Sequence, residues 1–189
     1  MVLRVPEAPE SARRAARAVL ESRESLPVDC RADQAALTAG FPHRVFEIDL
    51  LDLVAERGVR SARPVGWRWL MWSGDVVVGG IEVRTGPSGH GVGRFVEGPF
   101  TVATAPAAAA ARALPQTMLR RDEARLLNVP GMYMVALWLA DEAGGVDLLI
   151  PLAPAPCGVQ ALRGYTAAEL AEVLAARTRR PAAVGAPDS

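Results

Sequence analysis

The chain has 189 residues and contains no lysine, so its 21 strongly basic residues are all arginine. This absence excludes the chemistries that need a lysine amine, including pyridoxal-phosphate Schiff bases and lysine nucleophiles. It also excludes the lysine-bearing phosphate loop of the P-loop NTPases and the strand lysine of protein kinases. The abundance of alanine, glycine, proline and arginine beside this gap indicates a GC-rich genome and a bacterial source.

The chain also lacks an excess of either charge, because 21 acidic residues balance the 21 basic ones. Proteins that bind nucleic acid usually carry an excess of basic residues that neutralises phosphates. The balance of acidic and basic residues therefore argues against nucleic acid as a partner. No apolar run reaches the roughly 18 residues of a membrane span. Charged residues occupy the N-terminal stretch where a signal peptide has its apolar core, namely Glu7, Glu10, Arg13 and Arg14.

Cysteine and histidine are scarce, with two of each in the chain. Cys30 and Cys157 lie far apart in the sequence, and we predict a cytoplasmic protein with reduced thiols, although a disulfide between them stays open. Neither paired metal ligands nor a nucleophile elbow occurs in the sequence. We therefore predict no metal, no cofactor and no catalytic residue, and the sequence leans against an enzyme.

Hydrophobic periodicity predicts one α+β domain over residues 10–180, between a flexible N-terminus at 1–9 and a disordered tail at 181–189. The class is a mainly antiparallel sheet of about six strands in two β-β-β-α units, preceded by N-terminal helices. Thr166 and Glu169 have the spacing of a capping box at the start of the last helix. The predicted helices are 10–24, 31–39, most of 45–57, 106–114 and the segment after Thr166, and the predicted strands are 67–72, 76–85, 94–103, 123–129, 132–140 and 146–152. Residues 45–50 fit a strand as well as a helix.

The predicted strand 132–140 is apolar on both faces, and 76–83 is nearly so. A strand with one face exposed to water alternates apolar with polar residues. Either the protein's own helices cover both faces, or a partner covers one. Aromatic-rich and methionine-rich surfaces are typical of interfaces. We therefore assign Trp67, Trp69 and Trp138 to a candidate interaction surface.

Arginines interleave with the tryptophans of these strands. If Arg68, Arg84 and Arg94 point the same way from neighbouring strands, they form a cationic ridge that binds a carboxylate or phosphate bidentately. The same ridge with exposed aromatic rings would suit single-stranded nucleic acid.

A glycine-rich segment at 86–93 is predicted to be a loop between two strands. It is not a nucleotide-binding loop, because a helix N-terminus does not follow it. Ser88 and His90 lie within it. With Arg94, and with His43 as a base, they would furnish the polar contacts of a small-molecule pocket.

The leading hypothesis is a non-catalytic cytoplasmic interaction or assembly subunit, a homodimer or part of a complex, whose partner is another protein chain. The alternatives are a small-ligand protein or enzyme with a pocket at 86–93, and a single-stranded nucleic-acid binder. The candidate binding residues are Trp67, Arg68, Trp69, Arg84, Ser88, His90, Arg94 and Trp138.

Overall fold

An eight-stranded sheet organises the chain in a computed structural model that describes residues 4–55, 58–115, 123–141 and 144–178. The strands are β1 (Leu37–Glu47), β2 (Arg63–Ser73), β3 (Val76–Gly86), β4 (Gly89–Val96), β5 (Glu123–Val129), β6 (Met134–Ala140), β7 (Leu148–Pro151) and β8 (Tyr165–Thr166). Their order across the sheet is β4-β3-β2-β1-β5-β6-β7-β8. Every neighbouring pair is antiparallel except β1 and β5, which are parallel.

Among the described residues, five α-helices accompany the sheet: α1 (Glu10–Glu21), α2 (Val28–Arg31), α3 (Leu50–Val54), α4 (Pro99–Ala113) and α5 (Ala167–Thr178). The predicted capping box at the start of α5 is confirmed. The Glu169 carboxylate accepts a hydrogen bond from the Thr166 N–H, and the Thr166 hydroxyl accepts one from the Glu169 N–H. No helix of the described residues is long and apolar enough to cross a membrane.

The α+β class with a mostly antiparallel sheet is confirmed, but the strand count and the repeat differ from the prediction. Each half of the chain supplies four strands and then a helix, with β1 to β4 leading to α4 and β5 to β8 leading to α5. The parallel pairing of β1 with β5 joins the two halves. The missed strands are the first and the last, β1 and the two-residue β8.

The prediction of helix at 31–39 and over most of 45–57 is wrong. Residues 37–47 form β1 in the middle of the sheet, and only 50–54 are α-helical. Phe46 faces one side of the sheet and Val45 the other, each within a different core cluster. Pairing with strands on both sides therefore fixes 37–47 as a strand, and the helical periodicity of Leu50, Leu53 and Val54 is expressed only in the short helix α3.

The prediction of a loop at 86–93 followed by a strand at 94–103 is also wrong. A tight turn at 87–88 leads directly into β4, and the chain then enters α4 at Pro99 rather than at Pro106. Proline is favoured in the first helical turn because its missing N–H has no intrahelical partner there. Gly93 of β4 allows close packing, since a Cβ there would lie 2.5 Å from the Ala15 carbonyl oxygen of α1.

The protein's own helices lie on both faces of the sheet. The alanines of α4 pack against Leu126, Leu137 and Ile150 on one face. On the other face, α1 covers β2 and β3, while α3 and α5 cover the strands of the second half. We refer to these sides as the α4 face and the α1 face.

The predicted ends of the domain are only partly described. Ala8 is buried and Arg4 forms an isolated bridge with Glu123. The tail predicted at 181–189 lies outside the described residues.

Candidate functional site

Four polar side chains form a row across β1 to β4, which we call the charged row. The register pairs His43 with Arg68, Arg68 with Glu82, and Glu82 with Arg94. Residues directly opposite each other on neighbouring strands point to the same side of a sheet. The row therefore lies on the α4 face, where Gly80 of β3 also meets Thr101 of α4.

Glu82 holds both arginines of the charged row. Its Oε1 accepts hydrogen bonds from Nε of Arg68, at 3.0 Å, and from Nη2 of the same side chain. Its Oε2 accepts one from Nη2 of Arg94, at 2.7 Å. Burial raises the pKa of Glu82, but the charges and hydrogen bonds of Arg68 and Arg94 outweigh it and hold that pKa below its usual value. The carboxylate is therefore ionised at neutral pH.

His43 ends the charged row inside the protein. Its side chain is fully buried, the ring lies edge-on to Phe41 at 4.3 Å, and neither ring nitrogen has a hydrogen-bond partner. Burial, and next the positive charge of Arg68, lower its pKa to about 3, against a smaller opposing effect of the Arg68 and Phe41 backbone. A general base works best with a pKa near the working pH, so this environment does not suit the role of base considered for His43.

A cavity of about 360 Å³ opens between the exposed end of the charged row and the start of α4. We call it the α4-face cavity. Its walls include Arg68, Glu82 and Arg94 from the row, together with Phe100 and Tyr133, whose rings are 5.1 Å apart. Gly98 precedes α4 and supplies no side-chain cap to the helix N-terminus beside this cavity.

A second cavity, of about 470 Å³, lies on the opposite side of the same strand. We call it the α1-face cavity. It is lined by Ser25, Leu26 and Pro27, which follow α1, and by Gly93 and Phe95 of β4. Arg94 and Glu97 border both cavities, so the two openings flank one short piece of β4.

That piece of β4 is the outer edge of the sheet. Within the described residues, β4 pairs with β3 and with no other strand. Its residues 93–96 pair one for one with 80–83, while an irregularity interrupts the register between Val83 and Thr85. An edge strand presents unpaired N–H and C=O groups in the plane of the sheet. The regular edge at 93–96 thus lies between the two cavities.

The three predicted arginines do share one face. Arg84 lies two residues from Glu82 on β3 and is paired with Gly66, so it points to the α4 face like Arg68 and Arg94. Glu82, which accepts hydrogen bonds from Arg68 and Arg94, is not among the residues predicted from the sequence. Its spacing of two from Arg84 is the signal that would have placed it among them.

The tryptophans lie elsewhere. Trp67 and Trp69 are each 6% exposed beneath α1, and Trp138 is 3% exposed against Phe46. They form part of the core, on the face opposite the arginines of the charged row. The mixed surface of tryptophan and arginine considered from the sequence is therefore not brought together.

Ser88 and His90 do not join the arginines either. Ser88 lies in the turn between β3 and β4, and Nδ1 of His90 is 2.8 Å from the hydroxyl of Ser11 in α1. His90 is thus on the α1 face, and Arg94 is on the α4 face. The pocket predicted from Ser88, His90, Arg94 and His43 is divided between two sides of the sheet.

Cysteine and metal chemistry have little support in the described residues. Cys30 and Cys157 are both free thiols, and burial, followed by the charges of Asp29 and Glu97, raises the pKa of Cys30. No group of three histidine, cysteine, aspartate or glutamate side chains is placed to hold a metal ion within the part of the chain that the structure describes. Comparisons of the chain with protein-family models, curated proteins and solved structures gave no match.

Proposed function

We propose that this protein is a non-catalytic interaction subunit that binds an extended segment of another protein chain as an added strand along the edge of β4. The observation that carries the proposal is the regular, unpaired edge at 93–96 with an open cavity on each face of the sheet beside it. In strand addition, main-chain hydrogen bonds supply affinity and flanking pockets supply specificity.

The proposal moves the interaction away from the tryptophans. Their side chains are buried by the protein's own helices, so the sheet faces that carry them are already covered. In the part of the chain that the structure describes, no strand pairs with the outer edge of β4, and α1 packs over one face of that strand at Gly93. Partner binding there needs no rearrangement of the core.

A second copy of this chain is a poorer occupant than a different protein. Antiparallel pairing of two β4 edges extends the sheet and keeps equivalent faces on the same side. It would bring together the faces on which both copies carry Arg84 and Arg94, and like charges on one face repel. We therefore favour a hetero-complex. The experiment must distinguish it from a homodimer.

The α4-face cavity also favours a second candidate function, binding of a small ligand. Its volume of about 360 Å³ falls within the range of small-molecule sites. Arg68 and Arg94 would recognise an anionic group. Single-stranded nucleic acid has less support, since the tryptophans cannot stack on bases while they are buried.

The test is selection of binders from a display library of random eight-residue peptides, followed by hydrogen exchange on the complex. We expect the selected peptides to protect backbone amides within Gly93–Val96. N-methylation at alternate peptide positions should abolish binding, because it removes the N–H groups that face β4, while methylation of the intervening positions should be tolerated.

Three results would overturn the strand-addition proposal. They are the absence of selected peptides, protection that maps away from β4, and binding that is indifferent to N-methylation. Native mass spectrometry of the protein as expressed tests the two alternatives, a bound small ligand and a homodimer. A bound small molecule would favour the ligand function, and a dimer that blocks peptide binding would identify a second copy as the occupant.

A further inference from the structure

We infer that the segment bound by β4 carries an acidic residue and a large apolar residue at an odd spacing, that is, as neighbours or three positions apart. This inference rests on the proposed strand addition. It deepens that proposal by assigning a different chemistry to each of the two cavities beside the edge.

The odd spacing follows from strand geometry. Successive side chains of an extended strand point to opposite faces of the sheet. The α4-face cavity and the α1-face cavity lie on opposite faces and share Arg94 and Glu97 at their rims. Two side chains that enter different cavities must therefore be separated by an odd number of positions.

The acidic preference follows from the charges at the α4-face cavity. Arg68 and Arg94 share the single carboxylate of Glu82. Because Glu97 also lines the cavity, the charges of its walls balance, and the acidic preference depends on where Arg94 lies. The Arg94 side chain is 60% exposed, whereas that of Arg68 is 13% exposed, so Arg94 is the arginine that a partner can reach. Arginine pairs with a carboxylate through two parallel hydrogen bonds. Glu97 borders the cavity as well, so the acidic side chain is expected beside Arg94 and away from Glu97.

The apolar preference follows from the walls of the α1-face cavity. Leu26, Pro27 and Phe95 line it, and Gly93 contributes no side chain that would fill it. Leu26 and Phe95 also belong to the core cluster beneath α1, so the cavity is continuous with apolar packing. Burial of an apolar side chain there favours binding, because it takes apolar surface away from water.

The experiment uses the full chain and peptides obtained by the selection described above. In each peptide, the acidic residue is changed to its amide, and the proteins compared are the wild type, Arg94→Gln and Arg84→Gln. Arg84 is the matched control, since it is on the same face but does not line the α4-face cavity. We expect the change from Glu to Gln to weaken binding about tenfold with wild type and Arg84→Gln, and less than twofold with Arg94→Gln.

The second arm tests the apolar cavity and the spacing. Ser25→Trp should fill the α1-face cavity and abolish the preference for a large apolar side chain, because Ser25 is an exposed residue of its wall. One glycine inserted between the two peptide residues should weaken binding strongly, whereas two inserted glycines restore the side chains to their original faces and should weaken it less.

The possible results distinguish failure of this inference from failure of the proposed strand addition. Peptides that protect Gly93–Val96 but show equal acid dependence with wild type and Arg94→Gln would overturn the inference and leave strand addition intact. The inference would also be overturned, with strand addition intact, if the selected peptides carried a basic residue beside Arg94. Equal effects of one and two inserted glycines would overturn it in the same way. Failure to protect Gly93–Val96 at all would overturn the proposed function itself.

Discussion

His43 is a histidine that the fold keeps neutral. It is fully buried at one end of the charged row, and its pKa is lowered to about 3. In the unfolded chain a histidine binds a proton near pH 6.5. Between these two values, the unfolded state binds a proton that the folded state excludes, so stability falls as the pH falls.

We therefore predict a specific acid sensitivity. Between pH 7 and pH 5, His43 should lower the free energy of unfolding of the wild type by about 2 kcal/mol. His43→Gln has no proton to bind in this window and should lose that part of the pH dependence. Urea unfolding of both proteins at pH 7 and pH 5 measures the difference. Equal pH dependence in the two proteins would contradict the prediction.

The two arginines around Glu82 differ in exposure, and this gives a second prediction at the scale of single residues. Arg68→Gln should lower the free energy of unfolding by about 2–3 kcal/mol, because a largely buried carboxylate loses its main partner. Arg94→Gln should cost less than about 1 kcal/mol, since exposed ion pairs contribute little. Chemical denaturation of both variants tests the ranking. If Arg94→Gln were the more harmful change, the description of the row would be wrong.

At the scale of elements, Gly93 of β4 marks a close approach of α1 to the sheet. A Cβ at Gly93 would lie 2.5 Å from the Ala15 carbonyl oxygen and 2.8 Å from a Val19 side-chain carbon. At Gly91 it would meet only the Arg84 carbonyl oxygen, at an ordinary 3.5 Å. The two positions therefore form a matched pair on one strand.

We predict that Gly93→Ala lowers the free energy of unfolding by about 1–3 kcal/mol, because α1 must shift to relieve the overlap. Gly91→Ala should change it by no more than about 0.5 kcal/mol. Thermal or urea unfolding of the two variants measures both effects. Equal destabilisation would show that loss of glycine flexibility, rather than packing of α1, explains the change.

The same elements show how far the sequence predicts this structure. The tight turn between Trp72 and Val76 and the capping box at Thr166 and Glu169 follow from local residue chemistry, and both are present. The strand character of 37–47 depends on neighbours distant in sequence, so local periodicity misplaces it. Pro99 and Pro106 offer the same local signal for a helix start, so the sequence alone does not choose between them. The arginine ridge needed only strand alternation, whereas the two cavities needed the order of the strands, which no local pattern gives.

At the scale of the whole molecule, two four-stranded halves meet at β1 and β5, and α4 crosses from the first half to the second. Its alanines at 107, 108 and 111 are buried in the same cluster as Leu137, Leu148 and Ile150. The core cluster beneath α1 lies entirely within the first half, but the other two clusters draw residues from both halves, so each half alone would expose apolar surface. We therefore expect the halves to depend on each other for folding.

This dependence predicts the behaviour of a cut chain. A protease site inserted within residues 116–122 and then cleaved should leave the two halves bound to each other on size-exclusion chromatography. Ala107→Glu places a charge in the shared core, where α4 has no room for it, and should release them. Separation of the cleaved halves without that substitution would contradict the shared core.

The parallel junction also has a consequence for synthesis on the ribosome. β5 follows its partner β1 by roughly 80 residues in the sequence. At the usual rates of translation, the edge of β1 that pairs with β5 stays unpaired for roughly 5–15 seconds, until β5 has been synthesised. During that interval the nascent chain exposes a bare strand edge and an uncovered alanine face on α4, both of which are substrates for aggregation or for a holding chaperone. We therefore expect the pairing of β1 with β5 to be a step at which the nascent chain is exposed to aggregation.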